Sequence, residues 1–301
     1  MQTEKDTRSL LDSIKEHAAS AQLKLPVFPG VALELQHLLA AENSSIDQVS
    51  KVISKDQALA SQVLKLANSA FYSGMNRNIR TIKDAIMRLG LNHMFNLVIC
   101  SSQQSYYKSS NRMLEKYLKI SWKHALCVSI GSKWLVQELG HRKLGDEAFL
   151  AGFLHDIGKL LILKVIEIIN SKTKDIELSD AFISETLESM HSEQGYNLMD
   201  KWSIPSVYCN VALNHHKEGF DTSDVVLMAV RVVNQACRKS GITTSTESPI
   251  DLMTLPEVHA LAIEENVLAD LEVIMLDAMQ SEYSRLNELK LDSSTPYGTC
   301  L

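Results

Sequence analysis

The stretch from Asp146 to Ile169 is apolar on every side of the helix its periodicity predicts, so that helix has to be surrounded by others. Phe149, Leu150, Phe153, Leu154, Ile157, Leu160 and Leu161 leave it no face for water. A bilayer is not the surrounding, because the most apolar part, Leu160 to Ile169, is about half a membrane span and carries Lys164 and Glu167. The chain has to supply the neighbouring helices itself. Its 301 residues, 45% of them apolar, are enough for one large domain or two smaller ones.

Those neighbours are legible from their ends. Ser45-Ile46-Asp47-Gln48 has the capping-box pattern, in which a hydroxyl and a side chain three residues on satisfy free backbone donors. Asp56 can cap a second helix, along which Leu59, Val63, Leu66 and Ala67 recur at helical spacing. Thr81 opens a third and Gly90 stops it. Leu114 to Leu139 reads as a long helix ending at Gly140, Pro205 suits the first turn of a helix running to His215, and Ser223 to Lys239 is closed by Gly241. No Asn-Gly or Asp-Gly hairpin signal lies between alternating apolar runs. An all-α fold is expected, with Met87, Met94, Met190, Met199 and Met228 as core filler and Trp122, Trp134 and Trp202 as buried anchors.

Five dispersed cysteines without metal-knuckle spacing fit a reducing compartment, and Met1 to Ser13 lacks the apolar run of a signal peptide. The expectation is a cytoplasmic protein without a membrane segment. Arg77, Arg80, Lys83 and Arg88 cluster between Asp56 and Gly90, where two helices and a turn could be read as a nucleic-acid reader. The net charge of -6 disfavours that reading.

The chemistry lies elsewhere. His155 and Asp156 sit in the middle of the apolar stretch, where a carboxylate is costly unless a cation or several donors hold it. Ala148, Ala151, Gly152 and His155 form a stripe of small residues that would admit another helix closely. His124, His191, His215 and His216 could join them, and histidine with carboxylate suits Fe, Mn, Ni or Zn. Each also has a plainer reading. His124 could be a hydrogen-bonded core residue, His215 and His216 could meet free carbonyls at a helix end, and Asp156 could pair with Lys159. Spacing alone leaves these alternatives open.

Leu154-His155-Asp156-Ile157-Gly158-Lys159-Leu160 resembles the signature of HD-type proteins. The rest narrows the resemblance to the HDOD family, the HD-related output domains. In the first half stand Leu25-Pro26 with Pro29, Ser54-Lys55-Asp56, Leu66-Ala67-Asn68-Ser69-Ala70-Phe71-Tyr72 and Ile79-Arg80-Thr81-Ile82. In the second stand Trp122-Lys123-His124, His191 with Gly195, Trp202-Ser203-Ile204-Pro205 and His215-His216. The resemblance implies an N-terminal helical bundle (25–110) packed on an HD-like bundle (111–241), together one HDOD domain. An extension (1–24) precedes it, and C-terminal helices with a frayed tail (242–301) follow.

The resemblance also implies a bacterial signalling role as an output or scaffold element. The expected partner is a signalling protein, with a small phosphorylated ligand admitted and nucleic acid disfavoured. Relatives with phosphohydrolase activity hold one metal through positions that match His124, His155 and Asp156, with a further aspartate where this chain has Asn234. Two-metal relatives, the HD-GYP phosphodiesterases, add histidines like His191, His215 and His216 and a Gly-Tyr-Pro signature absent here. Gln57 also stands where the family usually has proline. The expected function is a non-catalytic signalling module that retains a metal site. The alternative is a metal-dependent phosphohydrolase or cyclic-dinucleotide phosphodiesterase, in which Lys159 would steady a phosphate.

Overall fold

Every regular element of the computed structural model is helical, and no strand occurs among the described residues. Those are residues 45–68, 79–172, 178–245 and 250–277, together with 14, 30, 31, 34, 35, 38 and 248. Residues 1–13 and 15–24, together with Leu25, Pro26, Pro29, Ser69 to Tyr72, Arg77, Cys300 and the tail, lie outside them.

Among the described residues the first layer includes α1 (Ile46–Ser54), α2 (Gln57–Ala67), α3 (Ile82–Leu89) and α4 (Leu91–Gln103), with Val31, Leu35 and Leu38 packed with them. The cap signals act as the sequence suggests. Ser45 Oγ accepts from Gln48 N at 3.2 Å while Ser45 N donates back to Gln48 Oε1 at 2.9 Å. Asp56 Oδ1 accepts from Leu59 N at 3.0 Å, and Thr81 Oγ1 from Asp84 N at 3.0 Å. Gly90 ends α3 and starts α4 at φ 85°, a left-handed conformation that a Cβ would strain. Asn68 fixes the way into α3, donating to Leu64 O and Ile79 O and accepting from Ile79 N at 2.8–2.9 Å.

The second layer is larger. α5 (Arg112–Glu138) packs on α6 (Gly145–Leu154), and α7 (Ile157–Lys172) on α8 (Asp180–Lys201). α9 (Ser206–Asn214) and α10 (Val225–Lys239) close the bundle, followed by a short α11 (Pro256–Ala260) and a helical stretch over 265–277. α4 joins the layers: Met94, Leu97 and Val98 pack with the first helices, while Ile99 and Cys100 pack into the core of α5 to α8. Each fully buried aliphatic side chain of this kind contributes roughly 1.5–3 kcal/mol.

Three expectations need correction. The apolar stretch from Asp146 to Ile169 is two helices, not one, with a turn at His155 and Asp156. Met87 is 60% exposed on the outer side of α3, so it fills no core, whereas Met94, Met190, Met199 and Met228 are buried. Trp122 is buried, but Trp134 and Trp202 are only partly so. Cys100, Cys127, Cys209 and Cys237 are buried free thiols. Among the described residues no helix is long and apolar enough to cross a membrane.

Candidate metal centre

The break between α6 and α7 has a local cause and a local consequence. Gly152 O, the acceptor Asp156 N–H would use in an unbroken helix, accepts from His155 Nδ1–H at 2.7 Å. On either side of the break, glycines let neighbouring backbones in. A Cβ on Gly152 would lie 2.7 Å from Val128 O on α5, and one on Gly158 would lie 1.9 Å from His191 O on α8. In a continuous helix His155 and Asp156 would diverge by about 100°. Here His155 Nε2 comes to 3.4 Å from Asp156 Oδ2.

Histidines from three other segments converge on the same carboxylate. On its Oδ2 side lie His124 Nε2 from α5 at 3.4 Å and Lys159 Nζ at 2.8 Å. On its Oδ1 side lie His191 Nε2 from α8 at 3.2 Å and His215 Nε2, just past α9, at 3.4 Å. The imidazoles also face one another: His124 and His155 Nε2 are 3.3 Å apart, His191 and His215 Nε2 3.2 Å. His216 is different. Its ring lies 4.1 Å from that of His215, but it is exposed at the rim.

The tautomers follow from the outer partners. Nδ1 of His124 faces Ile242 O, that of His191 faces Leu187 O and that of His215 faces Ala212 O, at 2.7–2.8 Å, as His155 faces Gly152 O. A carbonyl oxygen only accepts, so all four Nδ1 atoms carry protons. Burial resists a second proton on His124 and His191 and holds their pKa near about 3, against the pull of the Asp156 charge. His215 is lowered by burial as well. The inward Nε2 atoms of His124, His191 and His215 are therefore lone pairs. Ser192 Oγ, 3.3 Å from His191 Nε2, is a hydroxyl donor for one of them.

Asp156 stays ionised in this company. Burial works against its charge, but His155 and the Lys159 ammonium outweigh it and hold the carboxyl well below the usual range. Lys159 is close enough for an ion pair, yet among the described residues neither carboxylate oxygen has an aligned hydrogen-bond donor. Buried lone pairs and a carboxylate facing one another repel unless a cation joins them. Donor separations of 3.2–3.4 Å are those that ligands about 2 Å from one ion adopt. Two ligand groups share Asp156: His124 and His155 on one side, His191, His215 and His216 on the other. The residues fit a divalent transition metal.

Asn234 is buried on α10, which packs against α5. One turn further along α10, burial and Cys127, with a smaller contribution from the Asp156 charge, keep the Cys237 thiol protonated. The sequence did not single out Cys237 or Tyr107. Tyr107 stacks on Trp122 at 5.1 Å, and its hydroxyl is pushed upward by burial and by Asp156. Its polar neighbours, Ser105, Lys108, Ser109, Ser110 and Asn111, gave no sign of a buried ring. The basic cluster of the first layer is partly neutralised, with Lys83 Nζ 2.7 Å from Asp47 Oδ1.

The chain matches the HDOD domain family over residues 25–218. An uncharacterized protein of Treponema pallidum (strain Nichols) is 26% identical over 71% of this chain and 40% of its own length. The uncharacterized protein YuxH of Bacillus subtilis (strain 168) is 25% identical over 56% of this chain and 48% of its own. The chain thus spans less than half the length of these relatives. The fold is similar to that of a Shewanella amazonensis SB2B protein that carries the name of a metal-dependent phosphohydrolase (TM-score 0.74, 19% identity, 92% of this chain and 98% of that one). It is also similar to an HDOD domain protein of unknown function from Geobacter sulfurreducens (TM-score 0.70, 21% identity, 91% and 97%).

Proposed function

This chain is a member of the HDOD domain family, and from that premise we propose a non-catalytic signalling module whose buried cluster holds a divalent transition metal as an internal tie. His124, His155, Asp156, His191 and His215 would hold it, with His216 at the rim. When bound, the ion would balance the carboxylate and join lone pairs contributed from α5, the α6–α7 turn, α8 and the end of α9.

The observation that carries the reading is the combination of inward Nε2 lone pairs with near-complete burial. His155 is 0% exposed, His191 1%, His124 and His215 3%, and Asp156 6%. Such a centre suits a structural tie better than a cleft for a dinucleotide. Two further features weaken the hydrolytic alternative. The Lys159 ammonium is committed to Asp156, and Asn234 offers a neutral amide where hydrolytic relatives are expected to have a carboxylate. The lone pairs would still bind metal, but one fixed negative charge is absent.

The test is hydrolysis of cyclic dinucleotides and nucleotides with added Mn, Fe or Ni. No turnover above that of Asp156→Ala is expected. Metal-dependent turnover that disappears in Asp156→Ala would overturn the non-catalytic reading and favour the phosphodiesterase.

A further inference from the structure

A separate cavity of about 340 Å³ lies where α4 meets the starts of α6 and α9, on the seam between the two layers. We propose that it is a binding site for a small organic cation, a protonated amine on an apolar body, with Glu147 as its counter-charge.

The volume falls in the range of small-molecule sites, and so does the mixed lining. Phe95 and Ile99 of α4, Leu150 of α6 and Ile204 before α9 supply the apolar walls. The polar lining holds two acids, Asp146 and Glu147, beside Asn92, Asn96, Tyr208 and Lys143. Asp146 is already satisfied, since Lys133 Nζ lies 2.9 Å and His93 Nδ1 3.0 Å from its Oδ1. Glu147 is not. Among the described residues its carboxylate has no ion-pair or hydrogen-bond partner, although it is partly buried. Burial and the nearby Asp224 push its pKa up, which is the signature of a charge that lacks compensation.

Tyr208 reports the same local potential. It lines the cavity, and burial with the charges of Glu147 and Asp146 pushes its hydroxyl up to about 12. It therefore remains a neutral hydroxyl beside the acid. Among the described residues the one lining cation is Lys143, which is exposed to solvent. An ammonium brought in on an apolar body would reach Glu147 directly and bury its carbon skeleton against Phe95 and Leu150. Its occupant would touch α4, α6 and the entry to α9 together, which makes the seam the place where a ligand could bias the packing of the layers. The inference does not rest on the metal reading.

Calorimetric titration of the full chain with phenethylamine tests it. Millimolar or tighter binding is expected, at least about tenfold weaker in Glu147→Gln, as loss of a charge-assisted hydrogen bond implies. Metal content and helicity of the variant should match the wild type. Phenethyl alcohol, the neutral isostere, should bind wild type at least about tenfold more weakly than the amine, a comparison that needs no variant. Lys143→Ala should bind the amine as well as wild type or better. Absence of amine binding, equal binding of the alcohol, a folded Glu147→Gln that binds normally, or weaker binding in Lys143→Ala would each overturn the proposal.

Discussion

His191 Nε2 sits 3.2 Å from His215 Nε2, and both rings donate their Nδ1–H to backbone carbonyls. Burial keeps both imidazoles neutral, and their facing lone pairs repel unless something positive lies near them. This sets the pH behaviour of the metal-free protein. His124 and His191 have folded values near about 3, below an unfolded value of about 6.5. The unfolded chain takes up protons first as pH falls, so the stability is fully present above about 6.5 and is lost from there toward about 3. Chemical denaturation of metal-free protein should show a falling midpoint over that window. A midpoint constant from neutrality to pH 4 would contradict the assignment of neutral, buried imidazoles.

Gly158 should not tolerate a side chain. Its Cβ would be 1.9 Å from His191 O and 2.7 Å from Gly195 N, both backbone atoms that cannot swing aside. Gly158→Ala would have to part α7 from α8 and carry His191 away from Asp156. A loss of about 3 kcal/mol or more, with reduced metal content, is expected. Gly219→Ala, in open space, should stay within about 0.5 kcal/mol of wild type. Equal stability of the two variants, measured by urea denaturation, would contradict this packing.

Asp146 ties α4 to α5 through His93 and Lys133. Burial alone would raise its carboxyl, but the hydrogen bonds and charges of His93 and Lys133 hold it at about 2. With an unfolded value near 3.9, the stabilisation is present above about pH 4 and is lost as pH falls through about 2. The carboxylate is 38% exposed, so solvent screening limits the effect to about 1 kcal/mol or less. Asp146→Asn should therefore be less stable than wild type at pH 6 and converge with it near pH 2. A gap that persisted unchanged at pH 2 would point to something other than this charge.

Helix ends were the easiest part to read from sequence, because Ser45, Asp56, Thr81 and Gly90 act through atoms within a few residues of themselves. The turn at His155 and Asp156 was not readable. Its cause is His155 Nδ1 taking Gly152 O, together with backbone approach at Gly152 and Gly158, and hydrophobic periodicity carries no trace of either. The meeting of His124, His155, His191 and His215 is likewise a long-range event. Helical spacing could only nominate each residue, and the HDOD resemblance grouped them. Met87 misled because methionine type says nothing about which side of a short helix faces out.

Asn234→Asp tests the charge argument. Asn234 is buried one turn from Cys237, which feels the Asp156 charge. A carboxylate there should tighten metal binding by about tenfold, through an added anionic ligand or partner. Unchanged affinity in a competition titration with a chromophoric chelator would show that the amide is not what limits binding.

Elemental analysis of protein purified without chelators or an affinity metal tests the central claim most directly. At least stoichiometric Fe, Mn, Ni or Zn is expected in wild type and markedly less in Asp156→Ala, with both proteins equally helical. A wild-type chain that carries no transition metal and takes none up on titration would contradict it.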